Sequence, residues 1–418
     1  MMMKNFMPLM LLLAMLVSCN TTKKVMMKNS SSFLENLMKT QPEKFSYYLQ
    51  NKDSLRLQII YTKIIHTKNG QSSFKEFHYN VNDSLYFYPA STVKMPAAFL
   101  TLEKLNRLNN SSINKYTTVK TRTYITFPGT DTNASTIADY IKQIFLVSDN
   151  DAFNHLYEFL GQDYIHQKLK EKGYADAEIR HRLQIFLTPE QNKKTDAVNF
   201  YNSLGNLIWQ QPSQYNNNSF PQRKTFIGNG FYNNNNQLIY QPFDFSLKNR
   251  IYLQDLHHIL QSVLFPETVE PKQRFNLTDD DYKFLYRWMS SYPHESNMHE
   301  YDSSLYRDTY AKFILYGEEK KPVNKNIRIF NKIGDAYGFL TDVAYIIDKK
   351  KNIEFMLSAT LLCNKSQIFN GNEEDKSYAE IGFPFMKNLG KLIYNYELKN
   401  NRSKDRIIPP KFLIDYGK

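Results

Sequence analysis

Ser91 stands three residues before Lys94 in the stretch "FYPASTVKMPAAFLTLEKL", residues 87–105. A serine hydroxyl becomes a nucleophile when a base takes its proton, and a lysine serves as that base once burial or nearby positive charge destabilises its ammonium form. A spacing of i to i+3 brings amine and hydroxyl onto one helix face. The spacing alone does not decide, because Ser-x-x-Lys recurs at Ser72 with Lys75 and at Ser112 with Lys115. An isolated match of this kind is ordinarily a serine cap beside a surface lysine. The middle pair differs in its setting. "YFYP" is an extended lead-in, and Met95, Ala98, Phe99, Leu102 and Leu105 follow at helical spacing, with Pro96 in the first turns where a missing N–H costs least. Ser91 is therefore expected at a helix N-terminus, where unpaired N–H groups and the helix dipole favour developing negative charge.

The elements that must hold such a pair come from both ends of the chain. "LRLQIIYTKI" and "FKEFHYNV" alternate like strands, with "HTKNGQSS" as their turn, and lead into the helix near Ser91. "TIADYIKQIFLVSDNDAFNHLYEFLG" carries a helical pattern with Gly161 as its stop. "QQPSQYNNNSF" and "GNGFYNNNNQL" are Asn-rich and expected as loops. "NIRIFNKIGDAYGFLTDVAYIID" and "KKNIEFMLSATLLCN" are strand-like runs, followed by a helix in "FPFMKNLGKLIYNYEL". Strands at both ends and helices between them imply an α/β (α+β) two-lobe domain whose mixed sheet is assembled from distant segments.

Composition is that of a folded protein: 418 residues, 42% hydrophobic and 15% aromatic. The first segment, "MMMKNFMPLMLLLAMLVSCN", has Lys4, a short apolar run and a small residue before Cys19, which reads as a cleaved export signal. Its "LVSC" resembles the lipobox of bacterial lipoproteins, whose cysteine becomes the lipidated first residue, with a plain secretory signal or a membrane anchor as the alternatives. Loss of residues 1–18 lowers the formal charge from +12 to +11. No later apolar run is long enough to span a bilayer. Cys363, in "IEFMLSATLLCN", is then left without a disulfide partner and reads as a small buried hydrophobe. The lysines and arginines are scattered, without a run or fold signature for nucleic acid, so no nucleic-acid partner is expected. His294 and His299 in "HESNMHE" miss the helical i+4 spacing by one, and His257 and His258 are adjacent, so neither a metal nor another cofactor is expected and surface or half-buried positions account for the nine histidines.

Beyond Ser91 and Lys94, "LVSDNDAFNHL" contains Ser148, Asp149 and Asn150, and "NKIGDAYG" contains Lys332 and Gly334. The order Ser-x-x-Lys, Ser-Asp-Asn, Lys-x-Gly resembles the signature of class A β-lactamases and penicillin-binding proteins. "YGFLTDVAYI" resembles the strand pair after the third motif, and the likeness runs over about residues 55–160 and 327–398. The resemblance implies a β-lactamase/transpeptidase-like fold: an antiparallel sheet from the N- and C-terminal segments, flanked by helices, plus a helical lobe. Together with the export-signal and lipobox reading it divides the chain into a signal (1–18), a lipidated tether (19–44), a catalytic domain (45–400) with a partly Asn-rich insertion near 190–325, and a tail (401–418). By the same resemblance Lys332 supplies positive charge across the cleft, Ser148 relays a proton to the leaving nitrogen, and Asn150 holds both Lys94 and a substrate carbonyl. The N–H groups of Ser91 and Asp335 form the oxyanion hole, and Gly334 leaves room for a substrate strand.

Two departures qualify this. Ile333 stands where the family usually has threonine or serine, removing a hydroxyl that helps hold a substrate carboxylate. Class A enzymes also carry "E-x-x-L-N", whose glutamate activates the deacylating water; in "EIRHRLQIFLTPEQNKKTDAV" neither Glu178 nor Glu190 is followed by asparagine four residues on. The expectation is a lipid-anchored serine hydrolase of the bacterial cell envelope, most simply one acting on β-lactams through an acyl-enzyme at Ser91. Alternatives are a D-alanyl-D-alanine peptidase or other cell-wall amidase or esterase acting on peptidoglycan peptide, and a non-catalytic binding lipoprotein.

Overall fold

Alternating side chains sort five strands into one sheet. In β1 (Gln58–His66), Ile59 and Tyr61 face one core and Ile60 and Ile64 the other. The same two-sided burial recurs in β3 (Ile327–Ala336), β4 (Phe339–Asp348) and β5 (Ile353–Leu362), while β2 (Ser72–Tyr79) is only partly covered. The sheet runs β3-β4-β5-β1-β2, every pair antiparallel, with Tyr61 opposite both Leu357 and Phe77. Strands from the two chain ends thus share one sheet, as expected, and β3 is an edge. This computed structural model describes residues 32–66, 71–121, 136–296, 301, 304–320, 323–371, 374–400 and 408–417. Cys19, the signal and the β1–β2 turn around Lys68 lie outside the described residues.

One sheet face is covered by helices α1 (32–39) and α2 (Pro42–Gln50) and by a long C-terminal helix, Phe383–Asn400. Leu34, Met38, Phe45 and Tyr48 are buried there, so residues 32–44 belong to the folded domain and not to a tether. Their i, i+4 and i, i+3 apolar spacing is the physical reason. The helical lobe contains α3 (Lys94–Arg107), α4 (Ile137–Val147), α5 (Asn150–Leu160) and α6 (Gln162–Glu171). Helix α3 is buried on all sides from Lys94 to Leu105, beyond the single apolar stripe its sequence suggests. The helical pattern of 137–160 is split in two: α4 ends at Ser148, with φ of 60°, and the Asp149 side chain caps α5 by accepting from the Ala152 N–H at 2.7 Å. Such a cap is worth ~1 kcal/mol and starts α5 beside the end of α4.

The middle of the chain is only partly an insertion. A short helix, α7 (Pro189–Lys193), follows a loop, and α8 (Leu253–Leu264) lies against β1, β4 and β5 with its buried face in the main core. Helix α9 (Asp279–Ser290) lies beside β3, and the C-terminal helix is α10. The second Asn-rich stretch is a hairpin, not a loop: Gly230–Tyr232 pairs with Leu238–Ile239, and the Asn233 side chain accepts from the Asn235 and Gln237 N–H groups. His257 is fully buried, bonded to Thr62 at 2.8 Å and Ser358 at 2.7 Å, which corrects the expectation that every histidine is at or near the surface. Its neighbour His258 is partly exposed and meets Glu76. The tail is partly structural as well, since Ile408 and Phe412 are buried.

Candidate active site

The chain enters α3 through a 3₁₀ turn, Ala90–Val93, in which Thr92 bonds the Pro89 carbonyl through both its N–H and its hydroxyl. Ala90 has a φ of 45°, a left-handed conformation that alanine adopts only at a cost, directly before Ser91. Strand β3 passes close to this turn. A Cβ on Gly334 would meet the Pro89 carbonyl oxygen at 2.6 Å and the Thr92 and Ser91 nitrogens at 2.9 and 3.0 Å. The glycine therefore lets the strand and the serine turn approach each other this closely. Asp335, exposed and next along the strand, lines the cleft together with Ser91.

Three groups converge beside Ser91. Lys94 begins α3 fully buried and donates to the Ser148 carbonyl, to Asn150 Oδ1 at 2.7 Å and to Ser148 Oγ at 3.4 Å. Lys332, buried on β3, donates to the same Ser148 Oγ at 2.7 Å and to the Ile333 carbonyl at 2.9 Å. Ser148 thus joins two lysines from opposite lobes, held by its left-handed backbone at the α4–α5 break. Burial pushes Lys94 down to about 7, against the pull of Asp149 and Asp335. Burial, then the Lys94 charge, depresses Lys332 well below the usual lysine range. An amine that is substantially neutral near pH 7 can accept a proton from a hydroxyl, which an ordinary surface lysine cannot.

The other two serine–lysine pairs are elsewhere. Ser72 bonds His66, and Lys115 is held by Asp280 and Asp281. Ile333 is buried and faces a cavity of about 270 Å³, shared by Ser91, Ser148 and Asn150 and closed by Arg307, Thr309 and Tyr310. Behind β3, Lys312 bonds Asn331 Oδ1 at 2.6 Å and Asn331 bonds Asp342 at 2.8 Å, a buried network that fixes the strand carrying Lys332.

Neither glutamate candidate reaches the site. Glu178 is buried against Arg180 at 2.6 Å, and Glu190 is exposed, paired with Lys193 at 3.3 Å and bonded to Tyr215. The residue at the site is Gln184, which accepts from Asn150 Nδ2 at 2.6 Å and so extends the chain from Lys94 through Asn150. It opens "QIFLT", Gln184 to Thr188, which keeps the spacing of "E-x-x-L-N" with glutamine for glutamate and threonine for asparagine. That spacing is the signal by which the sequence could have revealed it. The loop is firmly held. Asn249 Oδ1 accepts from the Arg180 and His181 N–H groups at 2.8 and 3.1 Å, Asn192 from Arg182 at 3.0 Å and Asn154 from Leu183 at 2.9 Å. Arg182 and Glu158, both fully buried, form an ion pair beneath it at 2.7 Å. Among the described residues no cluster of histidine, cysteine and carboxylate side chains could hold a metal ion.

Fold and site together carry the arrangement that the Ser-x-x-Lys, Ser-Asp-Asn, Lys-x-Gly order implies, that of a serine hydrolase of β-lactamase type. Residues 32–221 match the model of the beta-lactamase enzyme family, a stretch that contains Ser91, Lys94, Ser148, Asn150 and Gln184, with Lys332 beyond it. Among solved structures the chain is similar to the β-lactamase from Sphaerobacter thermophilus DSM 20745, at 12% identity over 83% of this chain and 93% of that one, TM-score 0.45. It is also similar to the class A β-lactamase from Mycobacterium abscessus, at 13% identity over 88% and 98%, TM-score 0.45. A third similarity is to PBP-A, at 13% identity over 89% and 96%, TM-score 0.46. No curated protein matches the chain.

Proposed function

We propose that the protein opens β-lactams and related amides by acylation of Ser91, and that hydrolysis of the resulting ester is its slow step. The observation that carries this is Gln184, a neutral amide where a carboxylate would prepare the hydrolytic water. In acylation the Ser91 hydroxyl gives its proton to Lys94 as Oγ bonds the carbonyl carbon. The C–N bond then breaks, and the departing nitrogen takes a proton through Ser148, which Lys332 recharges from the other side. The oxyanion hole assigned to the Ser91 and Asp335 N–H groups stabilises the charge on the carbonyl oxygen. An amide cannot accept a proton from water as a carboxylate can, so the ester persists.

Gln184 equally favours a penicillin-binding peptidase acting on peptidoglycan peptide, which forms the same adduct. The complete Ser91, Lys94, Ser148 and Lys332 set speaks against a purely binding lipoprotein. The membrane anchor at Cys19 and a place in the cell envelope belong to this reading, supported by the "LVSC" sequence. Stopped-flow hydrolysis of a chromogenic cephalosporin tests it: a burst about equal to the enzyme concentration, then a slow steady state, with an intact-mass adduct that Ser91→Ala lacks. Rapid hydrolysis without a burst would refute slow deacylation, and an adduct on Ser91→Ala would refute the nucleophile.

A further inference from the structure

Ser91 opens onto a cleft of about 1280 Å³, larger than the ~300–1,000 Å³ that encloses a drug-sized molecule. The loop that carries Gln184 forms one wall. The other is built by 218–224 and 244–248 from the middle of the chain, with Tyr337 at the tip of the β3–β4 hairpin. The cleft therefore extends well beyond the atoms that react, along surfaces that none of the three motifs supplies.

Its charges are not all spoken for. Arg180 and Arg182 are neutralised by Glu178 and Glu158, Arg223 by Asp176, and Lys193 by Glu190. Lys224 and Lys248 remain: among the described residues neither has an acidic partner within ion-pair distance. Lys248 is half-buried. It donates to the Tyr337 hydroxyl at 3.0 Å and lies over the Tyr337 ring at 5.2 Å and the Phe243 ring at 5.9 Å. The acids of the cleft are Asp335, at the inner end beside the site lysines, and Asp244, which accepts the Ser246 N–H at 2.8 Å.

Tyr337 supplies a second, independent observation. It and Gly338 form a two-residue hairpin turn with φ of 54° and 72°, a geometry that favours Asn-Gly. A tyrosine there accepts backbone strain, and its side chain uses the position to brace Lys248 and to meet Tyr88, three residues before Ser91, edge to face at 5.0 Å. Lys248 is thus held at a fixed place in a partly desolvated aromatic setting, where a charge pair is stronger than at the open surface.

We propose that the outer cleft is a subsite for an acidic, carboxylate-bearing segment of the acyl donor, read by Lys248, with Tyr337 as its brace, and by Lys224. This rests on the acyl-enzyme reading given above and names the substrate class that reading leaves open: an acidic peptide longer than a β-lactam nucleus.

Two peptide thioesters test it, identical in length and leaving group, one with glutamate and the other with glutamine beside the acyl residue. The acidic donor should acylate Ser91 at least about fivefold faster, the scale of a partly exposed charge pair, and the advantage should shrink with salt. In Lys224→Met/Lys248→Met the ratio should fall to near one, and in Lys248→Arg it should persist. Because both donors are read on the same preparation, the ratio does not depend on how much of a variant folds. Equal rates in the parent, or an undiminished ratio in the double variant, would overturn the subsite. Should neither donor acylate the parent, the catalytic reading fails, and equilibrium binding of the same two peptides to Ser91→Ala decides the subsite alone: tighter binding of the acidic one sustains it, and equal binding ends it.

Discussion

The two sides of Ser91 are built from different chemistry. On one side Lys94, Ser148 and Lys332 form a buried, titratable triangle in which each lysine reaches the same hydroxyl. On the other, Gln184 ends a chain of amides, with Asn150 between it and Lys94 and with Asn154, Asn192 and Asn249 pinning the loop behind it. The first side can move protons. The second can hold a shape and donate hydrogen bonds, yet among these groups it has nothing that changes charge near neutral pH. Acylation and deacylation need a base at different moments, so a site can be equipped for one and not the other.

Removing the base from the equipped side should have the largest effect. Lys94→Met should lower the rate of Ser91 acylation by ~10²–10⁴, measured as fluorescent-penicillin labelling against time. The parent rate should also depend on pH. With Lys94 pushed down to about 7, the neutral amine is lost as pH falls, so labelling should slow by about tenfold per unit below 7 and level off above it. A rate independent of pH between 5 and 8 would exclude Lys94 as the base.

Supplying a base to the unequipped side comes next. Gln184→Glu should speed the steady state of cephalosporin hydrolysis by ~10² or more and diminish the burst. The new carboxylate, one amide away from Lys94, favours its ammonium form, so the pH midpoint for acylation should move upward. Faster turnover with no change in that midpoint would mean that the two sides are less closely coupled than the Asn150 bridge implies.

A smaller effect is expected from loosening the loop. Asn249→Ala removes the acceptor of two N–H groups in a buried setting and should cost about 1–3 kcal/mol in a urea melt. In the Gln184→Glu background it should also forfeit part of the gained turnover, because the glutamate is then less firmly aimed. Cys19→Ala should leave acylation unchanged and abolish partition into a detergent phase. A variant that still partitions fully, at the parent's mature mass, would rule out lipidation.

The break at Ser148 was not legible, since the helical pattern runs straight through it, but much of the equipped side was, because Ser91 and Lys94 sit at a helix entry and Lys332 on a strand-like run that the apolar pattern marks. The five strands were likewise visible in their alternation or continuous apolar runs. Other features were not. Gln184 escaped notice because a search for a carboxylate passes over an amide at the same spacing. The sequence around Gly334 says that a small residue is needed but not which surface approaches it, and the answer was the Ser91 turn. The sheet-covering role of α8 and the hairpin at 230–239 were hidden in segments whose polar, Asn-rich surroundings suggest loops. His257 was misplaced because its partners, Thr62 and Ser358, come from strands 195 and 101 residues away in sequence.

The position of β1 has a consequence for how the chain becomes folded. Residues 58–66 lie between residues 72–79 and 353–362, so the strand has only one neighbour until nearly the whole chain is present. Phe412, fully buried against Phe265, Tyr286, Phe330 and Tyr345, closes the same core later still. Contacts that span most of the sequence carry a large loop-closure cost before they repay it, which slows folding. An incomplete chain would keep β1 as an exposed edge, ready to pair with other copies. Expression of fragments ending before residue 353 should therefore yield aggregates, whatever the quality of the catalytic residues they contain.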